Sequence, residues 1–170
     1  MSLMDSLLPA QLVDKAREAI EKNRAAGRRI AVAESCTGGL VSAALTEVPG
    51  SSDVFEVGYV TYSNAAKLAA LRVSEDVVDM FGAVSIATAW AMAKGALQAS
   101  GVDVAVAITG IAGPEGGSSV KPVGTVVFAR AERDGDPDQV VADSKLFDAS
   151  GGRPGIRLQA AVCALELLTP

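Results

Sequence analysis

Three short stretches hold the residues whose types and spacing could do chemistry. Ala33-Glu34-Ser35-Cys36-Thr37-Gly38-Gly39 sets two nucleophile candidates, Ser35 and Cys36, before a pair of glycines. Tyr62-Ser63-Asn64-Ala65-Ala66-Lys67 supplies a phenol, a hydroxyl and an amine. Thr109-Gly110-Ile111-Ala112-Gly113-Pro114-Glu115-Gly116-Gly117-Ser118-Ser119 is a glycine- and hydroxyl-rich run. The chain has 170 residues and 0 histidines. That zero excludes the Ser-His-Asp triad, the Cys-His dyad and the HExxH zinc site. Any serine nucleophile needs another base, and a partly desolvated lysine serves, because burial lowers its pKa from about 10.4 towards neutrality. Lys67 is the best-placed candidate.

Each stretch has a plainer alternative. The N–H groups of Cys36, Thr37, Gly38 and Gly39 would open a helix and face an anion or a developing oxyanion; alternatively Thr37 is an N-cap and the glycines a tight turn. The loop is not G-x-S-x-G, so it is no nucleophile elbow. Cys36 rivals Ser35 but has no histidine to activate it. Ser63 and Lys67 are i and i+4 and share a helix face, so a Ser63–Lys67 pair competes with a Ser35–Lys67 pair; otherwise Ser63 is an N-cap and Lys67 a solvated surface lysine. The third stretch is neither G-x-G-x-x-G nor a Walker A sequence. Backbone amides at Gly110, Gly113, Gly116 and Gly117 could hold a phosphate monoester or a carboxamide, or the run is a plain connection. Arg153 and Arg157 add guanidinium donors before the last helix, or solubility at the surface.

These residues must be positioned by alternating elements. Leu12, Val13, Ala16, Ala19 and Ile20 recur at helical spacing between Pro9 and Gly27, which predicts an amphipathic helix. Arg29 to Ala33 reads as a strand, and Leu40, Val41, Ala44 and Leu45 as a helix closing before Pro49-Gly50. Val54 to Tyr62 is the next strand, and this β-α-β order favours a right-handed crossover. Asn64 to Leu71 reads as helical, and Ser74 with Glu75 and Asp76 as a capped start to another short helix. Ser85 caps a longer helix with Ile86, Trp90, Ala93 and Leu97 on one face. Val102 to Ile108 is a buried strand. Val123 to Ala129 and Val140 to Phe147 form a hairpin turning around Asp134-Gly135. Ile156, Ala160, Cys163 and Leu167 mark a largely buried final helix. The expected fold is a single three-layer α/β/α domain over residues 1–170, with a mixed sheet and an antiparallel hairpin.

Composition narrows the function classes. Fifteen Lys plus Arg against 20 Asp plus Glu give a net charge of −5, with no basic stripe for nucleic acid. No apolar run of membrane length and no signal peptide are present, so a cytoplasmic protein without membrane partners is expected. Cys36 and Cys163 stand far apart, which argues against a metal knuckle or redox pair and for a reducing compartment. No metal and no cofactor are expected. Met1-Ser2-Leu3 reads as a cloning remnant. The Ala-rich helix Ile86 to Leu97 offers a face for a homodimer or higher homo-oligomer.

Taken together, the three loops resemble the C-terminal domain of CinA-type competence/damage-inducible proteins, a family also known as nicotinamide-nucleotide amidohydrolase or NMN deamidase. The resemblance spans nearly the whole chain, in order and spacing. It implies a small-molecule substrate, nicotinamide mononucleotide, whose carboxamide is hydrolysed to nicotinate mononucleotide and ammonia. It also implies a Ser-Lys mechanism: Ser35 as nucleophile, Lys67 as general base, Tyr62 as an assisting hydroxyl or proton relay, and Thr109 in contact with substrate. The Gly110 to Gly117 loop and Arg153 are expected to hold the 5′-phosphate. Many members carry this domain behind a molybdopterin-binding-like one, so a stand-alone form is expected. The competing readings are a non-catalytic phospho-ligand binding or interaction protein of the same fold, and an amidase for another small carboxamide.

Overall fold

A computed structural model describes residues 6–170; Met1-Ser2-Leu3 lie outside them. Helix α1 (Ala10–Ala25) is followed by β1 (Ile30–Glu34), α2 (Leu40–Thr46), β2 (Phe55–Val60), α3 (Asn64–Leu71), α4 (Glu75–Phe81), α5 (Ile86–Ser100), β3 (Val104–Gly110), β4 (Thr125–Glu132), β5 (Ala142–Leu146) and α6 (Gly152–Leu168). The sheet runs β2-β1-β3-β4-β5. Strand β1 pairs parallel with β2 and β3, whereas β3–β4 and β4–β5 are antiparallel. This is the mixed sheet and hairpin expected from the pattern.

Alternation along the strands builds two different cores. Ile30 and Val32 of β1, Val104, Val106 and Ile108 of β3, and Val126 and Phe128 of β4 face α1, α2 and α6. Ala31 and Ala33, Ala105 and Ala107, and Val127, Ala129 and Ala131 face α3, α4 and α5. Small side chains on the second face let α5 lie close, through its own Ala89, Ala93 and Ala96. The chain thus crosses from β1 to β2 over one face and from β2 to β3 over the other. The two connections diverge at the C-terminal end of β1, which is where open α/β sheets form a ligand crevice.

The predicted helices hold their places because their caps do. Ser63 Oγ accepts from the Ala66 N–H at 3.0 Å, and Ser85 Oγ from the Thr88 N–H at 3.1 Å. Ser74 precedes α4 without a side-chain cap bond. Of the four residues expected on one face of α5, Ala93 is buried and Trp90 and Leu97 pack partly buried against the same core, while the helix turns Ile86 outward. Its buried side is Thr88, Ala89, Met92, Ala93, Gly95 and Ala96, while Ile86 is 40% exposed and Trp90 half-buried. Ile86, Trp90 and Lys94 line an open groove of about 780 Å³ with Val77 and Phe81 of α4.

The closest approach in this layer is at Gly95, where a Cβ would sit 2.0 Å from the Leu71 carbonyl oxygen at the end of α3. Gly95→Ala should lower stability despite the ~1 kcal/mol that alanine gains in a helix, because overpacking against fixed backbone costs about 1–3 kcal/mol or more. A fall in the thermal midpoint checks it; a rise would mean that α3 yields freely.

Candidate active site

Ser35 follows β1 directly, and its place is fixed from both sides. Its N–H donates to the Ile108 carbonyl of β3 at 2.9 Å, and the Thr61 N–H beyond β2 donates to the Glu34 carbonyl at 2.9 Å. Strand parity then separates two neighbours. Glu34 continues the Ile30-Val32 series and faces α2, whereas Ser35 continues the Ala31-Ala33 series and faces α3. Glu34 is fully buried, and its carboxylate accepts from the Val41 and Ser42 N–H groups at 2.9 and 3.0 Å and from Ser42 Oγ at 2.7 Å. It therefore occupies the first free donors of α2, where a negative charge is favoured.

This corrects the expected geometry of the loop. Helix α2 begins at Leu40 with Gly39 as its N-cap, so Cys36, Thr37 and Gly38 precede it, and Thr37 is not the cap. The Gly38 N–H is taken by the Ser35 carbonyl at 3.0 Å. Among the described residues the N–H groups of Cys36, Thr37 and Gly39 have no oxygen acceptor. The donors available for an oxyanion are thus peptide groups of the turn rather than the start of a helix.

On the other side, α3 begins at Asn64, and its first turn carries Lys67 back under the strand ends. Lys67 is 1% exposed and Ser35 is 8% exposed. Lys67 Nζ lies 2.9 Å from Ser35 Oγ, 2.9 Å from the Thr61 carbonyl and 3.2 Å from the Tyr62 carbonyl. Ser63 is the α3 cap, so the amine pairs with Ser35 rather than Ser63. Burial pushes the Lys67 amine below the ordinary lysine value, with the nearby Cys36 acting in the opposite sense. A neutral amine has two N–H bonds and one lone pair. When protonated, the amine donates to all three oxygens; when neutral, its two hydrogens go to the carbonyls, which can only accept, and its lone pair faces the one neighbour able to donate, the Ser35 hydroxyl. That is the arrangement of a nucleophile with its base.

Cys36 has the opposite character. Burial pushes its thiol up to about 11, so it stays protonated and unreactive near neutral pH. Cys36 and Cys163 are both free and buried. Among the described residues no cluster of three or more His, Cys, Asp or Glu side chains could hold a metal ion.

The remaining expected residues lie at the end of β3, in the turns that follow β2 and β3, and at the start of α6. Tyr62 is 60% exposed, and its hydroxyl accepts from an Arg153 amino group at 2.7 Å. The other Arg153 amino group donates to the Gly113 carbonyl at 2.7 Å. Arg153 thus ties the β2–α3 turn, the Gly110–Gly117 loop and the start of α6 together. Gly110 is half-buried and Gly113 buried against Val123, whereas Gly116 and Gly117 are exposed. Thr109 is buried, and its hydroxyl donates to the Ala83 carbonyl at 2.8 Å. Only its acceptor lone pairs are left for another molecule. Thr37 Oγ1 and Thr61 Oγ1 are buried without a hydrogen-bond partner among the described residues. Sequence reasoning missed Glu34 and the carbonyl of Thr61. Strand parity was the signal for the first, and nothing local signalled the second.

A model of the CinA C-terminal domain family matches residues 13–170. The chain belongs to that family. Within it, the Enterobacter agglomerans protein named nicotinamide-nucleotide amidohydrolase PncC is 51% identical over 143 residues, 84% of this chain and 84% of that protein. The Pseudomonas putida protein of the same name is 49% identical over 138 residues, 81% of this chain and 82% of that one. A CinA-like protein of Syntrophotalea carbinolica is 51% identical over 142 residues, yet the match spans only 33% of its length. The crystal structure of the competence/damage inducible protein CihA from Agrobacterium tumefaciens matches with a TM-score of 0.90 and 46% identity, covering 96% of each chain. The α/β fold with its mixed sheet is therefore that of solved members of the CinA family. No described helix is long and apolar enough to cross a membrane.

A buried lysine also marks stability. Its amine binds a proton less readily folded than unfolded, so between the lowered folded value and the ordinary value of 10.5 the unfolded chain holds more protons. Stability from this group therefore rises with pH through that window and is lowest below it. Lys67→Met should raise the thermal midpoint most at pH values below the folded pKa, with the gain shrinking as pH approaches the unfolded value. A pH-independent difference would contradict the burial argument.

Proposed function

We propose that this chain hydrolyses the carboxamide of nicotinamide mononucleotide to nicotinate mononucleotide and ammonia, with Ser35 as nucleophile and Lys67 as general base. The observation that carries the mechanism is the 2.9 Å contact between the Lys67 amine and the Ser35 hydroxyl, made by an amine whose other two partners are backbone carbonyls. The substrate is supported by the naming of relatives that match over four-fifths of both chains as nicotinamide-nucleotide amidohydrolases.

The steps follow from the groups present. Lys67 takes the Ser35 proton as Oγ bonds to the amide carbon, and the negative charge on the carbonyl oxygen falls to the free peptide N–H groups after Ser35. The C–N bond breaks as the nitrogen receives that proton from Lys67, directly or relayed through the Tyr62 hydroxyl, and ammonia leaves with Lys67 neutral again. Water then attacks the Ser35 ester with Lys67 again as base, releasing the acid and restoring Ser35. Arg153, held between Tyr62 and Gly113, and the exposed amides of Gly116 and Gly117 are the donors for the 5′-phosphate.

Incubation with nicotinamide mononucleotide should release ammonia and nicotinate mononucleotide in stoichiometric amounts, at a rate unchanged by chelators. Ser35→Ala and Lys67→Ala should each reduce turnover on the order of 10³-fold or more, as removal of either member of a nucleophile–base pair does. Unchanged turnover in both variants would overturn the reading. Ligand-induced thermal stabilisation without product would instead indicate a phospho-ligand binding protein.

The pH dependence has a fixed sign. Only the neutral amine can accept the Ser35 proton, so kcat should rise with pH and level off above the lowered Lys67 pKa. A rate falling with pH across the same range would exclude Lys67 as the base.

A further inference from the structure

Arg157 lies on the first turns of α6, and it holds the turn that carries Ser35. Its Nε donates to the Cys36 carbonyl and one of its amino groups to the Thr37 carbonyl, both at 3.1 Å. Among the described residues it makes no ion pair, so these two carbonyls are what the half-buried cation engages. Gly38 leaves room for it. Its φ is +59°, and a Cβ there would sit 3.3 Å from the same guanidinium.

The consequence lies in the peptide planes. In a trans peptide the C=O and the following N–H point in opposite directions. Holding the Cys36 carbonyl on the α6 side turns the Thr37 N–H away from α6. The Ser35 carbonyl, engaged by the Gly38 N–H at 3.0 Å, fixes the Cys36 N–H in the same manner. These are two successive donors directly after the serine, neither with an oxygen acceptor among the described residues. The residue after a nucleophile is where hydrolases commonly place an oxyanion donor.

We propose that Arg157 is the positioning residue of the oxyanion hole: by pinning the Cys36 and Thr37 carbonyls towards α6, it keeps the Thr37 N–H, beside that of Cys36, directed at the oxygen on which negative charge develops. The inference rests on Ser35 being the nucleophile. It assigns Arg157 to the transition state and not to the substrate's phosphate. It also requires the fork of the guanidinium, because the single ammonium of a lysine cannot hold two carbonyls in one plane.

The test uses the full chain with Arg157→Ala and Arg157→Lys. Arg157→Ala should lower kcat for nicotinamide mononucleotide by roughly 100-fold, the scale of losing one oxyanion donor, with KM within about twofold. Arg157→Lys should remain at least about tenfold impaired although the charge is kept. Guanidinium ion added to Arg157→Ala should restore part of kcat, and tetramethylammonium should not. A KM effect with kcat unchanged would assign Arg157 to substrate binding and overturn the proposal, as would turnover unchanged in both variants, or a loss that tracks the fraction of unfolded protein.

A second readout does not depend on the substrate. The rate at which a fluorophosphonate labels Ser35, followed by intact mass, uses the same N–H donors and should fall by a similar factor in both variants. Equal labelling rates in the wild-type chain and the variants would overturn the proposal. Failure of the proposed function appears separately, as labelling that depends on Arg157 in a chain that releases no ammonia from nicotinamide mononucleotide.

Discussion

The rest of the site depends on one constraint: a lysine amine is buried, and among the described residues no carboxylate pairs with it. An unpaired ammonium withdrawn from water costs several kcal/mol, and Lys67 meets two backbone carbonyls and one hydroxyl instead. Burial therefore lowers the affinity of that amine for a proton, and the same burial weakens the fold at low pH. Carbonyls are suited to this because they bind N–H hydrogens without supplying the charge that would stabilise the ammonium. An aspartate in the place of Thr61's carbonyl would hold the proton on Lys67 and disable it.

The sheet supplies the geometry that makes such a contact persist. Strand β1 is an interior strand, hydrogen-bonded on both sides, so Ser35 follows the end of a rigid strand rather than a loop. Consecutive residues at that edge then serve opposite layers. Glu34 is directed to α2 and saturates its first N–H groups, and Ser35 is directed to α3 and its lysine. A buried carboxylate already occupies the positive end of α2, so among the described residues the N–H groups left without an oxygen acceptor beside Ser35 are those of the turn itself. Arg157, reaching across from α6, bears on the orientation of those groups, so all three layers converge on a segment of five residues.

Much of this architecture was legible in the order of residues. The spacing of Leu12, Val13, Ala16, Ala19 and Ile20 predicts α1, and all five are buried. The helix predicted over Asn64 to Leu71 is α3, because Ser63 is a cap in sequence and in fact. At α5 the expected face of Ile86, Trp90, Ala93 and Leu97 is only partly a buried one: Ala93 is buried, Trp90 and Leu97 are partly buried against the same core, and Ile86 is exposed. Hydrophobic size reports how much a residue gains from burial, not which side of a helix the neighbouring layers cover. The loop after β1 misled for a related reason. Its glycines signal a turn into a helix, but where the helix begins was decided by Glu34, whose reach is set by the pleat.

What the amino-acid sequence by itself determined is the chemistry available: without histidine, a serine nucleophile needs another base, and Lys67 stands at a helix start where a strand end could meet it. The two alternatives for that lysine, Ser63 or Ser35, are indistinguishable by spacing, since a side chain four residues away and one thirty-two residues away are both within reach of a flexible amine. Only the tertiary structure decided between them. Parallel pairing of β1 with β2 brings Thr61 beside Glu34, and that register carries α3 under Ser35 and closes the amine off from water. Burial is a property of the packed layers and not of any local pattern, and it is burial that lowers the proton affinity of a lysine that spacing alone would leave at the surface.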